Sequence, residues 1–274
     1  VEGALLTRMI KVQGAASDSP PTDTSPLACA DSISTLGSST LPCTNRHLTG
    51  FGAHVLVTAN ARARVSGVEL RRVGQTNILG RYPIHFHLLG ASGLGSYIRD
   101  SSIHQSYYRC VALHGTNHVL VSHNVGFDVT GYCFYLEDGV EEYNTFEYNL
   151  AAHVHFLGTP ARSNNQFTGW VSASDDLLLP ADVTASGFYG TNANNRFVGN
   201  AASGGWSGFA FPQLDAPIKS HRGVQSTPSA RPLLEFSGNS AHSSGWWWEN
   251  AGMIYFGGRL EHDATTIDPA TSQP

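Results

Sequence analysis

Two histidines and one glutamate recur at the same place in three short segments of the sequence. The segments are residues 84–87 (Ile-His-Phe-His), 111–114 (Val-Ala-Leu-His) and 134–137 (Phe-Tyr-Leu-Glu), and in each the first and third residues are apolar. Their starts are 27 and 23 residues apart. A strand-bearing repeat of about 20–30 residues is typical of a solenoid, in which equivalent residues stack. The spacing predicts a column of His87, His114 and Glu137 on one outer face.

This column has the chemistry of a metal site. Imidazole and carboxylate groups bind metals, and two histidines with one glutamate is a ligand set of catalytic zinc sites. His87, His114 and Glu137 are therefore candidate ligands for a divalent metal, with His85 as a further ligand on the same face. The alternative is a hydrogen-bonded ladder in which the carboxylate holds an imidazolium. The sequence favours the ladder slightly over a metal, and both over a catalytic zinc, so it requires no cofactor.

Glu137, Asp138 and His114 are the candidates for catalysis. Glycoside hydrolysis uses two carboxyl groups about 5–9 Å apart. Consecutive strand residues point to opposite sides, which makes Glu137 and Asp138 a poor pair. Glu137 with Glu141 or Glu142 requires the following turn to curl back. A solvated acidic turn is the simpler interpretation, and the sequence favours a protein that is not an enzyme.

Arginine and aromatic residues near the column predict a sugar-binding surface. Arg81 and Arg109 could bind an anionic sugar, although pairing with Glu137 or Asp138 is the more common arrangement. Exposed aromatic faces suit sugar rings, and five aromatic residues are expected at or near outward positions: Tyr107, Tyr108, Tyr135, Tyr189 and Trp247. Packing beneath an insertion is the alternative for each of them. The ligand-binding candidates are Arg81, His85, Tyr108, Arg109 and Tyr135.

The elements that position these residues are short strands in stacked turns. Apolar and aromatic residues are expected to alternate inward, in one ladder of Ile84, Val111, Phe134, Phe188, Phe209 and Trp246 and a second of Phe86, Leu113, Leu136, Phe211 and Trp248. The fold class is all-β, a right-handed parallel β-helix with two long surface insertions. A β-propeller is the rival, but its blades run to about 40–45 residues.

Asparagines recur at the predicted turns. Asn124, Asn149, Asn200 and Asn239 occur in similar contexts, and Ser102 is expected to take that place one turn earlier. Side-chain amides at equivalent turns can bond along the stack. We expect these four asparagines to share one edge of a solenoid with at least five turns.

Composition is consistent with one β-helix domain over residues 1–274. The sequence has 274 residues, 14% of them charged, and a net charge of −5, so no nucleic-acid partner is expected. No run is long and apolar enough to span a membrane. The chain begins within a repeat pattern, which predicts a fragment of a longer extracellular protein. Residues 14–46 and 156–182 are expected to be loop excursions.

The four cysteines predict an oxidising compartment. Cys29 and Cys43 lie within the Ser/Thr/Pro-rich insertion and are expected to pin it with a disulfide. Cys110 and Cys133 each precede a strand of successive turns, about 4.8 Å apart, which is within the Cα range for a disulfide. A ladder of free thiols is the alternative for Cys110 and Cys133.

Several longer motifs resemble a known family. They are residues 51–54 (Phe-Gly-Ala-His), 65–72 (Val-Ser-Gly-Val-Glu-Leu-Arg-Arg), 80–90 (Gly-Arg-Tyr-Pro-Ile-His-Phe-His-Leu-Leu-Gly), 97–100 (Tyr-Ile-Arg-Asp), 103–106 (Ile-His-Gln-Ser), 137–139 (Glu-Asp-Gly) and 200–205 (Asn-Ala-Ala-Ser-Gly-Gly). From about residue 48 to 256 the chain resembles the extracellular β-helix region shared by fibrocystin-like ciliary proteins and the cell-migration-inducing hyaluronidase family. The insertion at residues 14–46 departs from that family's pattern.

The resemblance implies two functions. The favoured one is a non-catalytic module of a cell-surface or ciliary protein, which acts as a rigid scaffold and binds an extracellular glycan, neighbouring domains or other subunits of a larger assembly. The alternative is a polysaccharide-degrading, hyaluronidase-like domain. Both imply an extracellular, cell-surface or ciliary-surface location.

Overall fold

The computed structural model describes residues 2–15, 50–75, 78–155, 162–163, 166–167, 185–244 and 252–256. In these residues the chain forms a parallel β-helix with three sheets and no α-helix. Six successive turns of the described chain each contribute one strand to every sheet. The β-helix prediction is therefore confirmed. No helix among the described residues is long and apolar enough to cross a membrane.

Sheet 1 contains the three segments of the predicted His87, His114 and Glu137 column. Its strands, in spatial order, are β2 (Val55–Thr58), β5 (Ile84–Gly90), β8 (Val111–Thr116), β11 (Phe134–Leu136), β16 (Ser186–Gly190), β19 (Ser207–Phe211) and β22 (Ile254–Phe256). All six pairings are parallel.

The other two sheets complete each turn. Sheet 2 contains β3 (Arg64–Ser66), β6 (Tyr97–Arg99), β9 (Leu120–Ser122), β12 (Thr145–Glu147), β17 (Arg196–Val198) and β20 (Glu235–Ser237). Sheet 3 contains β1 (Ile10–Gln13), β4 (Val68–Arg71), β7 (Ser102–Ser106), β10 (Val125–Thr130), β13 (Leu150–His155), β18 (Ala201–Gly204) and β21 (Ser240–His242). Outside these sheets, β14 (Arg162–Ser163) and β15 (Gln166–Phe167) form an antiparallel pair, and short 3-10 helices cover Ala91–Gly93, Lys219–His221 and Pro228–Ala230.

Apolar residues stack along the interior, because alternate strand residues face inward and each turn is buried only by its neighbours. Ile84, Val111, Phe134, Phe188 and Phe209 occupy one row of sheet 1, as predicted, and all five are buried. The rings of Phe134, Phe188 and Phe209 stack with centroids 4.7 Å apart at each step.

The prediction that Trp246 and Trp248 continue these rows is wrong. The register of sheet 1 pairs Phe209 with Ile254 and Phe211 with Phe256. Both rows therefore continue in β22. Residues 245–251 lie outside the described residues.

The four predicted asparagines share one edge of the coil. Both the backbone N–H and the side-chain amide of Asn124 donate to Asn149 Oδ1 at 3.0 Å. Asn149 bonds Asn200 in the same way, and Asn200 bonds Asn239. This confirms the asparagine ladder, which satisfies buried backbone groups at the turn.

The ladder begins one residue earlier than expected. Asn124 Oδ1 accepts from the backbone N–H of Ser101, so Ser101 and not Ser102 holds the equivalent place. Ser102 is already the first residue of β7, paired with Val125. A second ladder at another turn was not predicted: Asn144 N–H donates to Asn195 Oδ1 at 2.8 Å.

Cys110 and Cys133 form a disulfide between successive turns, with their Cα atoms 4.5 Å apart. Gly126 leaves room for it, because a Cβ there would collide with Cys133 Sγ. Cys29 and Cys43 lie outside the described residues, as do the excursions at residues 14–46 and 156–182 except for residues 14–15, 162–163 and 166–167. The Cys29–Cys43 pairing and the limits of the excursions therefore stay predictions.

Candidate functional site

The three residues of the predicted column lie together on the outer side of sheet 1. His87 pairs in register with His114, and their Nδ1 atoms are 3.0 Å apart. Glu137 Oε2 lies 4.0 Å from His114 Nδ1. The His85 ring lies 4.8 Å from the His87 ring and 5.8 Å from the His114 ring. The structure thus brings His85, His87, His114 and Glu137 into one cluster, and their role stays a proposal.

Glu137 and Asp138 both face His114, contrary to the expectation that they point to opposite sides. Asp138 Oδ2 lies 2.9 Å from His114 Nε2. The reason is that β11 ends at Leu136, so strand alternation no longer applies, and Gly139 turns the chain with a φ of 90°. The structure therefore also corrects the prediction of a solvated acidic turn, since both carboxyl groups are buried.

The turn that follows curls back through Glu141. Its buried carboxylate accepts hydrogen bonds from the backbone N–H groups of Gly115, Asp138 and Gly139, at 2.7–3.1 Å. Burial, followed by the nearby charge of Asp138, raises the pKa of Glu141. Glu142 instead binds Arg231, with Oε1 2.7 Å from Nε. Glu141 and Glu142 are thus engaged in holding the turn.

Two side chains of the 3-10 helix Lys219–His221 complete the cluster, and the sequence prediction missed both. Lys219 Nζ donates to Glu137 Oε1 and to Tyr135 Oη, each at 3.0 Å. His221 Nδ1 lies 2.8 Å from Asp138 Oδ2, so Asp138 bridges two imidazole rings. The only available signal was composition, because Lys219 is one of two lysines in the sequence. No repeat pattern places this helix against sheet 1.

The charges in the cluster compensate one another. Burial would raise the pKa of Glu137, but the charges of Lys219 and His114 outweigh it and lower the pKa to about 2. Conversely, burial lowers the pKa of Lys219, but the charge and hydrogen bond of Glu137, together with Tyr82, raise this pKa above its ordinary value. Burial also lowers the pKa of His114, but the hydrogen bond to Asp138 and the charge of Glu137 raise it above its ordinary value. These groups form a buried network of ion pairs.

The other two histidines are held in the uncharged form. Burial lowers the pKa of His85 to about 4, and burial together with the neighbouring His114 lowers the pKa of His87. His85 is buried and its Nδ1 lies 3.0 Å from the carbonyl oxygen of Gly80. Neutral imidazole is the form that binds metals.

The predicted strip of exposed aromatic residues does not exist among the described residues. Tyr107, Tyr108, Tyr135 and Tyr189 are at most 3% exposed. Side chains that point outward from the coil are buried here by other segments. Lys219 covers Tyr135, and Gly50 packs so closely on the Tyr107 ring that a Cβ at this glycine would collide with it. These four tyrosines are therefore buried, and their packing beneath the two insertions stays a prediction. Trp247 lies outside the described residues.

Arg109 is enclosed by tyrosines and is fully buried. Its guanidinium carbon lies above four rings, at 3.9 Å from the centroid of Tyr135, 4.7 Å from Tyr108, 4.8 Å from Tyr132 and 5.2 Å from Tyr82. Cation–π contacts of this kind stabilise a desolvated guanidinium. Tyr108, Arg109, Tyr135 and His85 are thus closed to a polysaccharide, which corrects their assignment as a sugar-binding surface.

Arg81 alone among the ligand-binding candidates is exposed. Its Nη1 lies 2.8 Å from His54 Nε2, so it contacts neither Glu137 nor Asp138 through this group. Burial and then the charge of Arg81 lower the pKa of His54. Arg81 therefore lies apart from the cluster.

Two groups of side chains in the cluster have the composition of a metal site. His85, His87 and His114 bring one ligand atom each within 4.8 Å of one another, and His114, Asp138 and His221 do the same. A carboxyl group with a pKa of about 2 does not donate a proton near neutral pH, so Glu137 does not fit the role of the acid in glycoside hydrolysis.

Comparisons with known proteins give consistent results. The CEMIP beta-helix family model matches residues 50–248. A G8 domain-containing protein of Dictyostelium discoideum is 53% identical over 216 residues, covering 79% of this chain and 15% of the relative. Communication mutant protein F of the same organism is 48% identical over 212 residues, covering 77% and 19%. Fibrocystin-L of Homo sapiens is 35% identical over 258 residues, covering 89% and 6%. The chain thus spans less than a fifth of the length of these relatives.

Proposed function

Because the chain belongs to the CEMIP beta-helix family, we propose that it is a non-catalytic module of a larger protein at a cell or ciliary surface. In this proposal the module is a rigid scaffold, and one of its outer faces binds anionic glycans. Neighbouring domains and subunits of the same assembly are its other expected partners.

The observation that supports the scaffold role is the unbroken stacking of the three sheets. Parallel pairing runs through sheet 1 from β2 to β22, and the asparagine ladder connects four successive turns on one edge. Buried backbone groups at this edge are therefore satisfied by side chains of neighbouring turns, which ties each turn to the next. The disulfide adds a covalent link between two of them.

The observation that supports glycan binding is a basic face at the first turns of sheet 2, formed by Arg62, Arg64 and Arg99. All three side chains are exposed. Arg99 lies over the Tyr97 ring at 4.8 Å from its centroid, with Asp100 as an acidic neighbour at 3.7 Å. Exposed guanidinium groups bind carboxylate and sulfate groups through paired hydrogen bonds.

The row of sheet 2 that contains Arg64 has no such excess of positive charge further along the coil. Arg64 occupies the row that contains Arg196 in β17 and Glu235 in β20. There Arg196 is neutralised by Glu235, with Nη1 2.9 Å from Oε2. Arg196 is therefore a matched control for Arg64.

Affinity for an anionic glycan tests the proposal. Binding of the full chain to heparin and to hyaluronan is measured at two salt concentrations, for the wild type, the double variant Arg64→Gln/Arg99→Gln and the control Arg196→Gln. We expect binding that weakens with salt, a loss of at least about 10-fold in the double variant and little change in the control. Equal affinity of the double variant and the control would refute the basic face.

The same samples test the alternative, a polysaccharide-degrading domain. Light scattering of each polysaccharide after prolonged incubation reports its molar mass. The proposal predicts an unchanged molar mass. A fall that Glu137→Gln abolishes would instead establish the hydrolase.

A further inference from the structure

Three histidine rings form a compact group on the outer side of sheet 1. His85 and His87 are two residues apart in β5, and His114 is the partner of His87 in β8. One ligand nitrogen of each ring lies within 4.8 Å of the other two. Three imidazoles are the protein ligands of one class of zinc site, and a metal that binds there displaces any proton on the ligand nitrogen.

The partners of the outer ring nitrogens fix which nitrogen faces the group. Asp138 Oδ2 can only accept a hydrogen bond, so His114 Nε2 carries a proton and Nδ1 is directed at His87. The carbonyl oxygen of Gly80 likewise accepts from His85 Nδ1, which leaves a lone pair on Nε2. Metal-binding histidines almost always donate their other ring N–H to a carboxylate or a backbone carbonyl group.

The lone pair of His85 is the observation that points to a ligand. His85 Nε2 is buried and has no hydrogen-bond partner among the described residues. A buried polar atom without a partner costs free energy, so its retention needs a reason. Glu137 Oε2 is also buried without a hydrogen-bond partner in the described part of the chain, 4.0 Å from His114 Nδ1.

We propose that His85, His87 and His114 bind a divalent transition metal, zinc in the first instance, through His85 Nε2 and the Nδ1 atoms of His87 and His114. Glu137 Oε2 is the nearest carboxylate to this site, and a water or that oxygen takes the fourth position. Zinc–nitrogen distances are about 2.0–2.1 Å, which requires the three rings to close around the metal. His87 is the half-buried member, so its ring has room to move and opens the path for the metal.

Asp138 and His221 have a different part in this site. Asp138 Oδ2 accepts from both His114 and His221, at 2.9 and 2.8 Å, so protons occupy both contacts. Asp138 is therefore a positioning residue that orients His114, and the second histidine group is not a separate site. The metal site goes beyond the proposed function and shares no residue with the basic face.

Zinc titration of the chelator-treated full chain tests the proposal. Calorimetry and elemental analysis are expected to give one zinc per chain. His87→Ala should lower the affinity at least 10-fold while circular dichroism stays unchanged, because this side chain is half-buried. His118→Ala is the matched control, because His118 is half-buried and stacks on Tyr143 away from the cluster. It should bind zinc as the wild type does.

A second variant distinguishes loss of the metal site from misfolding of the protein. Asp138→Asn keeps the size of the side chain and should lower zinc affinity by about 10–100-fold, the usual effect of losing the carboxylate partner of a ligand histidine. X-ray absorption of the loaded protein should show three imidazole nitrogens at about 2.0–2.1 Å. Absence of stoichiometric zinc in the wild type, or equal affinity of His87→Ala and His118→Ala, would overturn the proposal. The affinity for heparin should be the same in His87→Ala, Asp138→Asn and the wild type, which separates this test from that of the basic face.

Discussion

The two sides of sheet 1 are built from alternate residues of the same strands, yet they follow different rules. The inner side repeats, with Ile84, Val111 and Phe134 in one row, and each turn supplies an apolar residue. The outer side does not keep one type of residue in each row, because the partner of His85 is Ala112 and the partner of Ala112 is Tyr135. Neighbouring turns suffice to bury the inner side, whereas the outer side is completed by Lys219 and His221 from a distant segment.

This difference shows what a repeat can and cannot specify. Stacking fixes which residues are neighbours along the coil, so it brings His87, His114 and Glu137 together. It does not fix what covers them. Whether an outward residue is exposed depends on segments between the turns, and these obey no period.

The largest expected loss of stability comes from a substitution on the inner side of sheet 1. Phe188→Ala removes a fully buried ring that stacks between Phe134 and Phe209, and should lower the free energy of unfolding by about 3–5 kcal/mol. Phe127→Ala is the control, because Phe127 is 39% exposed. It should cost less than about 1 kcal/mol. Urea denaturation of both variants measures the contrast, and equal costs would contradict the account of the interior.

A smaller effect is expected at the asparagine edge, where polar groups repeat as regularly as the apolar ones. Asn149→Leu leaves the buried partners of the amide unsatisfied, and should cost about 1–3 kcal/mol. Asn239→Leu should cost less, because Asn239 is only half-buried. Urea midpoints of the two variants check the order, and the opposite order would mean that the ladder does not act through burial.

The sequence predicted the parts of the molecule that depend on local periodicity. Alternation of apolar residues placed Ile84 and Phe134 inside, and the recurrence of asparagine placed Asn149 at a shared edge. The prediction was wrong where a strand ended, since Glu137 and Asp138 lie beyond Leu136 and both face His114.

The burial of the outer side of sheet 1 could not be predicted without knowing which distant segments pack on it. Tyr135 is outward by period and buried in the structure, because a lysine 84 positions along the chain binds its hydroxyl group. Arg109 is buried because four tyrosine rings from three successive turns surround it. Neither contact has a signature in the local sequence. The register of the last strand was also missed, since the partner of Phe209 is Ile254 and not Trp246.

The central claim is that the outer side of sheet 1 is a closed network held by Lys219, and the most direct test is a double-mutant cycle between Lys219 and Glu137. Urea denaturation gives the free energies of unfolding of Lys219→Met, Glu137→Gln and the double variant. Each single change leaves the other charge buried without its partner, which is strongly destabilising. The account predicts that the double variant loses about 0.5–3 kcal/mol less than the sum of the single losses. Additive losses would contradict it, because they would mean that Lys219 does not hold Glu137 in the folded protein.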